Sequence, residues 1–169
     1  MRRDLNYLYF VEGQCEKKLI TVLKEKQLVR SGKVIVFNVI QNLLNDMHIR
    51  PIAPNTIVIL VFDTDINPTK ALLCNIAFLS SQPYVQKVIC ITQVSNLEDE
   101  ITKCTNVKSP RELLGCKDQS SFKQSFINEK RLFDKLHNHY FSISKLWSSV
   151  PPNEFLALGI TNQSADIKK

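Results

Sequence analysis

The run Ile57-Val58-Ile59-Leu60-Val61-Phe62, followed at once by Asp63-Thr64-Asp65, constrains this chain most. Six consecutive apolar residues leave no polar face. That pattern belongs to a strand buried on both sides, as in a parallel sheet covered by helices. The run then stops in two carboxylates. A second run of the same kind, Tyr7-Leu8-Tyr9-Phe10-Val11, stops in Glu12-Gly13, with Glu16 close behind. Open α/β sheets bind their ligands beyond the C-terminal ends of the strands. Both acidic groups therefore fall on the edge where function is expected.

The rest of the pattern alternates in type. Strands are predicted over 6–11, 33–40, 56–62 and 85–92. Leu19, Ile20, Leu23 and Leu28, with lysines between them, predict an amphipathic helix over 16–29. A short helix or irregular connection is predicted over 42–49. A further helix over 68–80 would have Asn67 as its N-cap and Pro68 at its first position. Asn96 is placed to cap a helix over 97–103. Alternating strands and helices predict a mostly parallel, Rossmann-like α/β sheet with helices on both faces. Beyond Ser109 the pattern changes, and 120–139 shows mixed helical spacing. The expectation is an α/β core over 1–108 and a helical C-terminal extension over 109–169 packed on it, with a mobile tail at 164–169.

Composition excludes several classes. The chain has 169 residues with 44% hydrophobic and 22% charged content, ordinary values for one globular domain. No apolar run approaches the roughly 20 residues that span a bilayer. Residues 1–4 lead straight into a strand pattern without a signal-peptide apolar region, so a cytoplasmic protein with no membrane partner is expected. The five cysteines are odd in number and lack a C-x-x-C pair, which argues against a disulfide framework and a structural zinc site. Cys74 and Cys90 lie among apolar residues and are expected in the core. Four glycines make no phosphate-binding loop. His137 and His139, two apart on a predicted helix, are a poor metal pair.

Acids at strand ends suggest a site for a hard cation. Asp63 and Asp65, two apart in extended chain, point the same way. Alone they are equally the aspartates of a turn. Glu16 falls in the first turn of its helix, where an acid is favourable without any catalytic role. Glu12 closes a buried strand, where a carboxylate is costly without a partner. After the fourth strand comes Glu98-Asp99-Glu100. Asp99 fits simple helix N-terminal acidity, while Glu98 or Glu100 is placed to complete a second metal position. Every candidate ligand is an oxygen, which selects Mg²⁺, with Mn²⁺ as a substitute. The formal net charge is +6. Lys17, Lys18, Lys24, Lys26, Arg30 and Lys33 cluster after the first motif, and a second basic stretch runs from Lys117 to Lys145. Such charge around an acidic site suits DNA or RNA, although either stretch alone is also an ordinary solvated helix face.

Phe10-Val11-Glu12-Gly13-x-x-Glu16-Lys17-x-Leu19-Ile20 together with Val61-Phe62-Asp63-x-Asp65 resembles the Toprim domain of topoisomerases, bacterial primases and several nuclease families. The likeness covers 6–103. The first motif and Leu97-Glu98-Asp99-Glu100 look most like the nuclease branch, which includes OLD-family and RloB-like proteins. The resemblance implies a Toprim-like fold and a divalent-metal-dependent nuclease. It implies that Glu12 assists proton transfer or metal binding, and that Asp63 and Asp65 hold Mg²⁺. Glu16 and Glu98 or Glu100 would be further ligands; separately, the basic stretch after the motif makes Lys17 and Lys18 the expected contacts to nucleic acid. It also implies a basic residue late in the domain, for which Lys145 is the candidate. These 169 residues show no topoisomerase tyrosine domain and no ATPase. The analogy therefore points to a separately encoded ATPase partner, as in phage defence. The alternative is a non-catalytic Toprim subunit that binds nucleic acid or a partner protein.

Overall fold

The computed structural model describes residues 5–169. Residues 1–4, on which the expectation of no signal peptide bears, lie outside the described residues. The first strand, β1 (Asn6–Val11), is followed by α1 (Gln14–Glu25), β2 (Lys33–Val36), a short α2 (Asp46–Ile49), β3 (Thr56–Asp63), α3 (Lys70–Ser80), β4 (Val85–Gln93) and α4 (Leu97–Cys104). All pairings are parallel and the strand order is β2-β1-β3-β4. This is a Rossmann-like α/β arrangement. Val11 pairs with Val61, and Asp63 with Gln93, so β1, β3 and β4 end on the same edge.

Alternation along the strands divides the core into two layers. Tyr9, Val11, Ile59, Val61, Ile89 and Ile91 share one cluster with Leu19, Ile20 and Leu23 of α1 and Leu97 and Ile101 of α4. Leu8, Phe10, Val58, Leu60, Phe62 and Cys90 share the other with Leu72 and Leu79 of α3. Burying each such side chain contributes about 1.5–3 kcal/mol, so the two layers fix the sheet's register and its C-terminal edge.

The C-terminal segment belongs to both layers. It forms α5 (Pro110–Leu114), α6 (Phe122–Asn128), α7 (Leu132–Asn138), α8 (Asn153–Leu156) and a 3₁₀ turn (Ser164–Asp166). Phe122, Phe126, Leu132, Leu136 and Trp147 enter the first cluster, while Phe155 stacks on Phe62 in the second, with ring centroids 6.1 Å apart. Gln163 then runs beside β4: its N–H donates to the Cys90 carbonyl, and its Oε1 accepts the Cys90 N–H.

Several boundaries differ from expectation, each for a local reason. The first helix ends four residues early. Gln27 adopts φ 58° and the Leu28 N–H returns to the Leu23 carbonyl, a Schellman closure with glutamine in glycine's usual place. β2 stops at Val36 because the Asn38 Oδ1 accepts the N–H groups of Ile40 and Gln41, which turns the chain. The cap of α3 is Thr69, whose Oγ1 accepts the Leu72 N–H, not Asn67. Cys74 is exposed, whereas Cys90 is buried as expected. The predicted mobile tail is tied down: Ile167 is fully buried, Arg30 N–H donates to its carbonyl, and Lys168 bridges to Val29.

Candidate functional site

Three acids meet at the sheet's C-terminal edge. Glu12 is the first residue after β1, and its Oε2 accepts the backbone N–H of Asp63, the last residue of β3, at 3.1 Å. Its Oε1 accepts the Asn38 side-chain amide at 3.1 Å. Glu16 sits in the first turn of α1 and folds inward, 7% exposed. Gly13 makes room for it. Its backbone is extended and needs no glycine, but a Cβ there would stand 3.0 Å from Glu16 Oε2. The glycine here serves close approach and not a positive-φ turn.

Gln93, the last residue of β4, joins these acids. Its side-chain N–H groups donate to Asp63 Oδ1 at 2.6 Å and to Glu16 Oε1 at 3.3 Å. Its Oε1 accepts the indole N–H of Trp147 at 3.2 Å. Gln93 is completely buried, and its carbonyl accepts both the N–H and the hydroxyl of Thr64. A cleft of about 140 Å³ opens beside these residues, lined by Gly13, Cys15, Glu16, Asp63, Glu98 and Lys123.

Electrostatics follow from this crowding. Burial, the nearby charges of Glu12, Glu16 and Asp65, and only one relieving bond from Gln93 push the Asp63 carboxyl up to about 8. Burial also raises Glu16, against bonds from its own backbone and from Gln93, with Glu12 and Glu98 adding to the rise. Cys15, in the same cleft, is pushed up to about 11 by burial and by Glu16 and Glu98, which makes it a poor nucleophile.

The remaining candidates separate. Asp65 lies exposed beyond the end of β3, near enough for its charge to act on Asp63. Glu98 lines the cleft and lies 4.0 Å from the Lys123 ammonium. Glu100 does not join it. That carboxylate is fully buried and accepts the backbone N–H groups of Val94 and Trp147, both at 2.9 Å, so it braces the chain under the site. The expectation that Glu100 could ligate a metal is corrected accordingly. Lys17 is exposed and Lys18 half-buried on α1. Lys145 is exposed on a turn and does not line the cleft, whereas Lys123 on α6 does. Gln93, Asn38, Trp147 and Lys123 were not anticipated as site residues. Only Lys123 carried a signal, its place in a basic stretch.

The oxygen donors suit a hard cation chemically. Among the described residues, though, no group of three or more His, Cys, Asp or Glu side chains is gathered closely enough to hold a metal ion. No helix among them is long and apolar enough to cross a membrane. Comparisons with protein-family models, curated proteins and solved structures give no match.

Proposed function

We propose that this protein is a Toprim-like, divalent-metal-dependent nuclease that hydrolyses phosphodiesters of DNA or RNA. The observation that carries the reading is the meeting of Glu12, Glu16 and Asp63 at the C-terminal edge of a parallel sheet, with the Asp63 carboxyl raised to about 8 by burial and then by its acidic neighbours. Buried carboxylates crowded beside one another are what a bound cation would relieve. Glu12, Glu16, Asp63 and Asp65 are the residues that would hold Mg²⁺ or Mn²⁺, with Glu98 across the cleft. When bound, the ion would stabilise charge on the phosphate and lower the pKa of a water molecule.

The chain's own residues have distinct tasks in this scheme. Glu12, held by Asn38 and by the Asp63 N–H, presents a fixed carboxylate to take a proton from attacking water. Lys123 at the cleft rim and Lys17 and Lys18 on α1 offer ammonium groups to the backbone phosphates. A separately encoded ATPase acting with it, in the setting of phage defence, remains part of the proposal by analogy.

A second reading has one observation in its favour. Both oxygens of Glu12, and one each of Glu16 and Asp63, already accept protein hydrogen bonds. A site satisfied in this way fits a non-catalytic subunit that binds nucleic acid or a partner. Plasmid DNA and RNA incubated with Mg²⁺, Mn²⁺ or EDTA separate the two. The nuclease reading expects cutting that EDTA stops and that Glu12→Gln and Asp63→Asn abolish. Cutting that survives EDTA, or an Asp63→Asn/Asp65→Asn protein that still cuts, rejects it.

A further inference from the structure

Part of the basic stretch after the first motif falls along one face of α1. Cys15, Lys18, Val22 and Lys26 follow at intervals of three and four, so they form one stripe down that helix and its C-cap. The stripe faces the helical extension, where α1 packs against α6 and α7. At its N-terminal end lies the acidic cleft, with Cys15 on one wall and Lys123 on the other. At its C-terminal end a second depression opens, of about 160 Å³. Val22, Glu25 and Lys26 form one wall there, and Lys130, Arg131 and Phe133 the other. A rise of about 1.5 Å per residue puts the two roughly 16 Å apart along the helix. Lys18 lies half-buried on the face between them.

The second depression differs from an ordinary solvated helix face. Arg131 is oriented twice: Glu129 accepts its backbone N–H and Asp134 accepts its Nε–H, both at 2.8 Å. The terminal amino groups of its guanidinium make no hydrogen bond among the described residues, which leaves open the forked edge that grips phosphate. The Lys26 ammonium forms no ion pair among the described residues and lies over the Phe133 ring, 5.1 Å from its centroid. Lys130 is exposed and likewise unpaired among them. Of the acids lining the depression, Asp134 is engaged by Arg131 and only Glu25 is not. Three cations from two separate elements therefore converge on one half-buried aromatic ring. Single-stranded nucleic acid binds to that combination, with cations for its phosphates and a ring for a base.

We propose that the seam between α1 and the α6–α7 segment binds a single strand of DNA or RNA, which runs from the acidic cleft to a nucleotide subsite at Phe133. This rests on the nucleic-acid reading above and needs no metal. Lys123, Lys18 and Lys26 meet successive phosphates along the seam, and Arg131 forks onto the last. An unpaired base takes the Phe133 ring, and the Lys26 ammonium it displaces moves to the adjoining phosphate. The exchange is favourable because base–aromatic stacking is stronger than a cation–π contact open to water. A duplex keeps its base faces covered, so it can use the cations but not the ring.

The test is fluorescence anisotropy of the whole protein in EDTA, which separates binding from cleavage. The probes are a labelled single-stranded RNA, the single-stranded DNA of the same sequence, and the DNA duplex. At equal salt at least one single strand should bind more tightly than the duplex. Phe133→Leu should weaken single-strand binding about tenfold and leave duplex binding unchanged. Arg131→Gln, at an exposed position, should weaken binding and lower the single-strand salt slope by about 0.7. It serves as the second variant should Phe133→Leu fail to fold by circular dichroism. Lys70→Gln, on α3 across the sheet, is the charge control and should change neither. Tighter binding of the duplex than of both single strands overturns the seam. So does a Phe133→Leu protein that binds single strands like wild type, or a slope lowered as much by Lys70→Gln as by Arg131→Gln. Plasmid cutting by a protein whose seam variants bind unchanged rejects the seam and leaves the nuclease reading standing. The expected binding pattern in a protein that cuts nothing upholds the seam and removes the nuclease. No binding of any of the three probes removes the nucleic-acid reading itself, and the seam with it.

Discussion

Asp63→Asn should stabilise the metal-free protein, and the gain should depend on pH. In the folded chain burial and three neighbouring acids raise Asp63 from 3.8 to about 8. A folded-state pKa above the unfolded value means that the folded form keeps its proton while the unfolded form loses it. The associated stability is complete below about pH 4 and is lost progressively as pH rises to about 8. Roughly four units at about 1.36 kcal/mol each set a ceiling of about 6 kcal/mol. Part of the rise is repulsion from Glu12, Glu16 and Asp65, which salt and solvent screen, so a loss of about 3–5 kcal/mol is expected. Asparagine cannot ionise, yet it keeps an oxygen for the Gln93 amide. Urea unfolding in EDTA should therefore find the variant and wild type alike near pH 4, and the variant more stable by about 3–5 kcal/mol at pH 8. A variant that is less stable than wild type at pH 8 would mean that the Asp63 charge supports the fold, and would refute the repulsion argument.

Other expectations concern the supports of the site. Glu100→Ala strips the buried Trp147 N–H and the part-buried Val94 N–H of their acceptor and should cost about 2–4 kcal/mol in thermal or urea unfolding, whereas Glu98→Gln, paired only loosely with Lys123, should change stability by less than about 1 kcal/mol. Gly32→Ala would drive a Cβ into the Tyr7 carbonyl oxygen, so the β1–β2 edge must shift, at a cost of about 1–3 kcal/mol in chemical denaturation. In nucleic-acid binding followed by fluorescence anisotropy, Lys123→Ala should weaken affinity and lower the salt slope by about one, while Lys145→Ala should leave the slope unchanged. Mg²⁺ should raise the melting temperature more at pH 8 than at pH 6, because a protonated Asp63 must lose its proton before it can ligate.

Much of the fold was legible because burial on two faces leaves an unmistakable trace. Val58, Leu60 and Phe62 point into one layer, and Ile59 and Val61 into the other. Nothing but a covered parallel strand accommodates that run followed by acids. Helix ends were less legible because they turn on single side chains: Thr69 outcompetes Asn67 as a cap, and Asn38 ends β2 by bonding its own backbone. Two misplacements were recoverable from spacing. The inward stripe of α4 is Leu97, Glu100, Ile101 and Cys104, which puts Glu100 in the core and Glu98 beside the cleft. The stripe of α3 is Leu72, Asn75 and Leu79, which leaves Cys74 outside.

The neutral partners were beyond a local reading. A carboxylate at a strand end carries its own signal, since it must be compensated wherever it lies. Gln93 carries none. It follows Thr92 at the end of an apolar strand, and its meaning depends on Glu16, Asp63 and Trp147, which lie 77, 30 and 54 residues away in sequence. Acids brought together by a parallel sheet need either a cation or an array of donors, because each further carboxylate raises the cost of charging the others. This chain supplies donors from three directions: the Asp63 N–H and Asn38 to Glu12, and Gln93 to Glu16 and Asp63. The supply is incomplete, as the raised Asp63 carboxyl records. Burial and the remaining repulsion together hold it there, and the amide of Gln93 is the bond that keeps it from rising further.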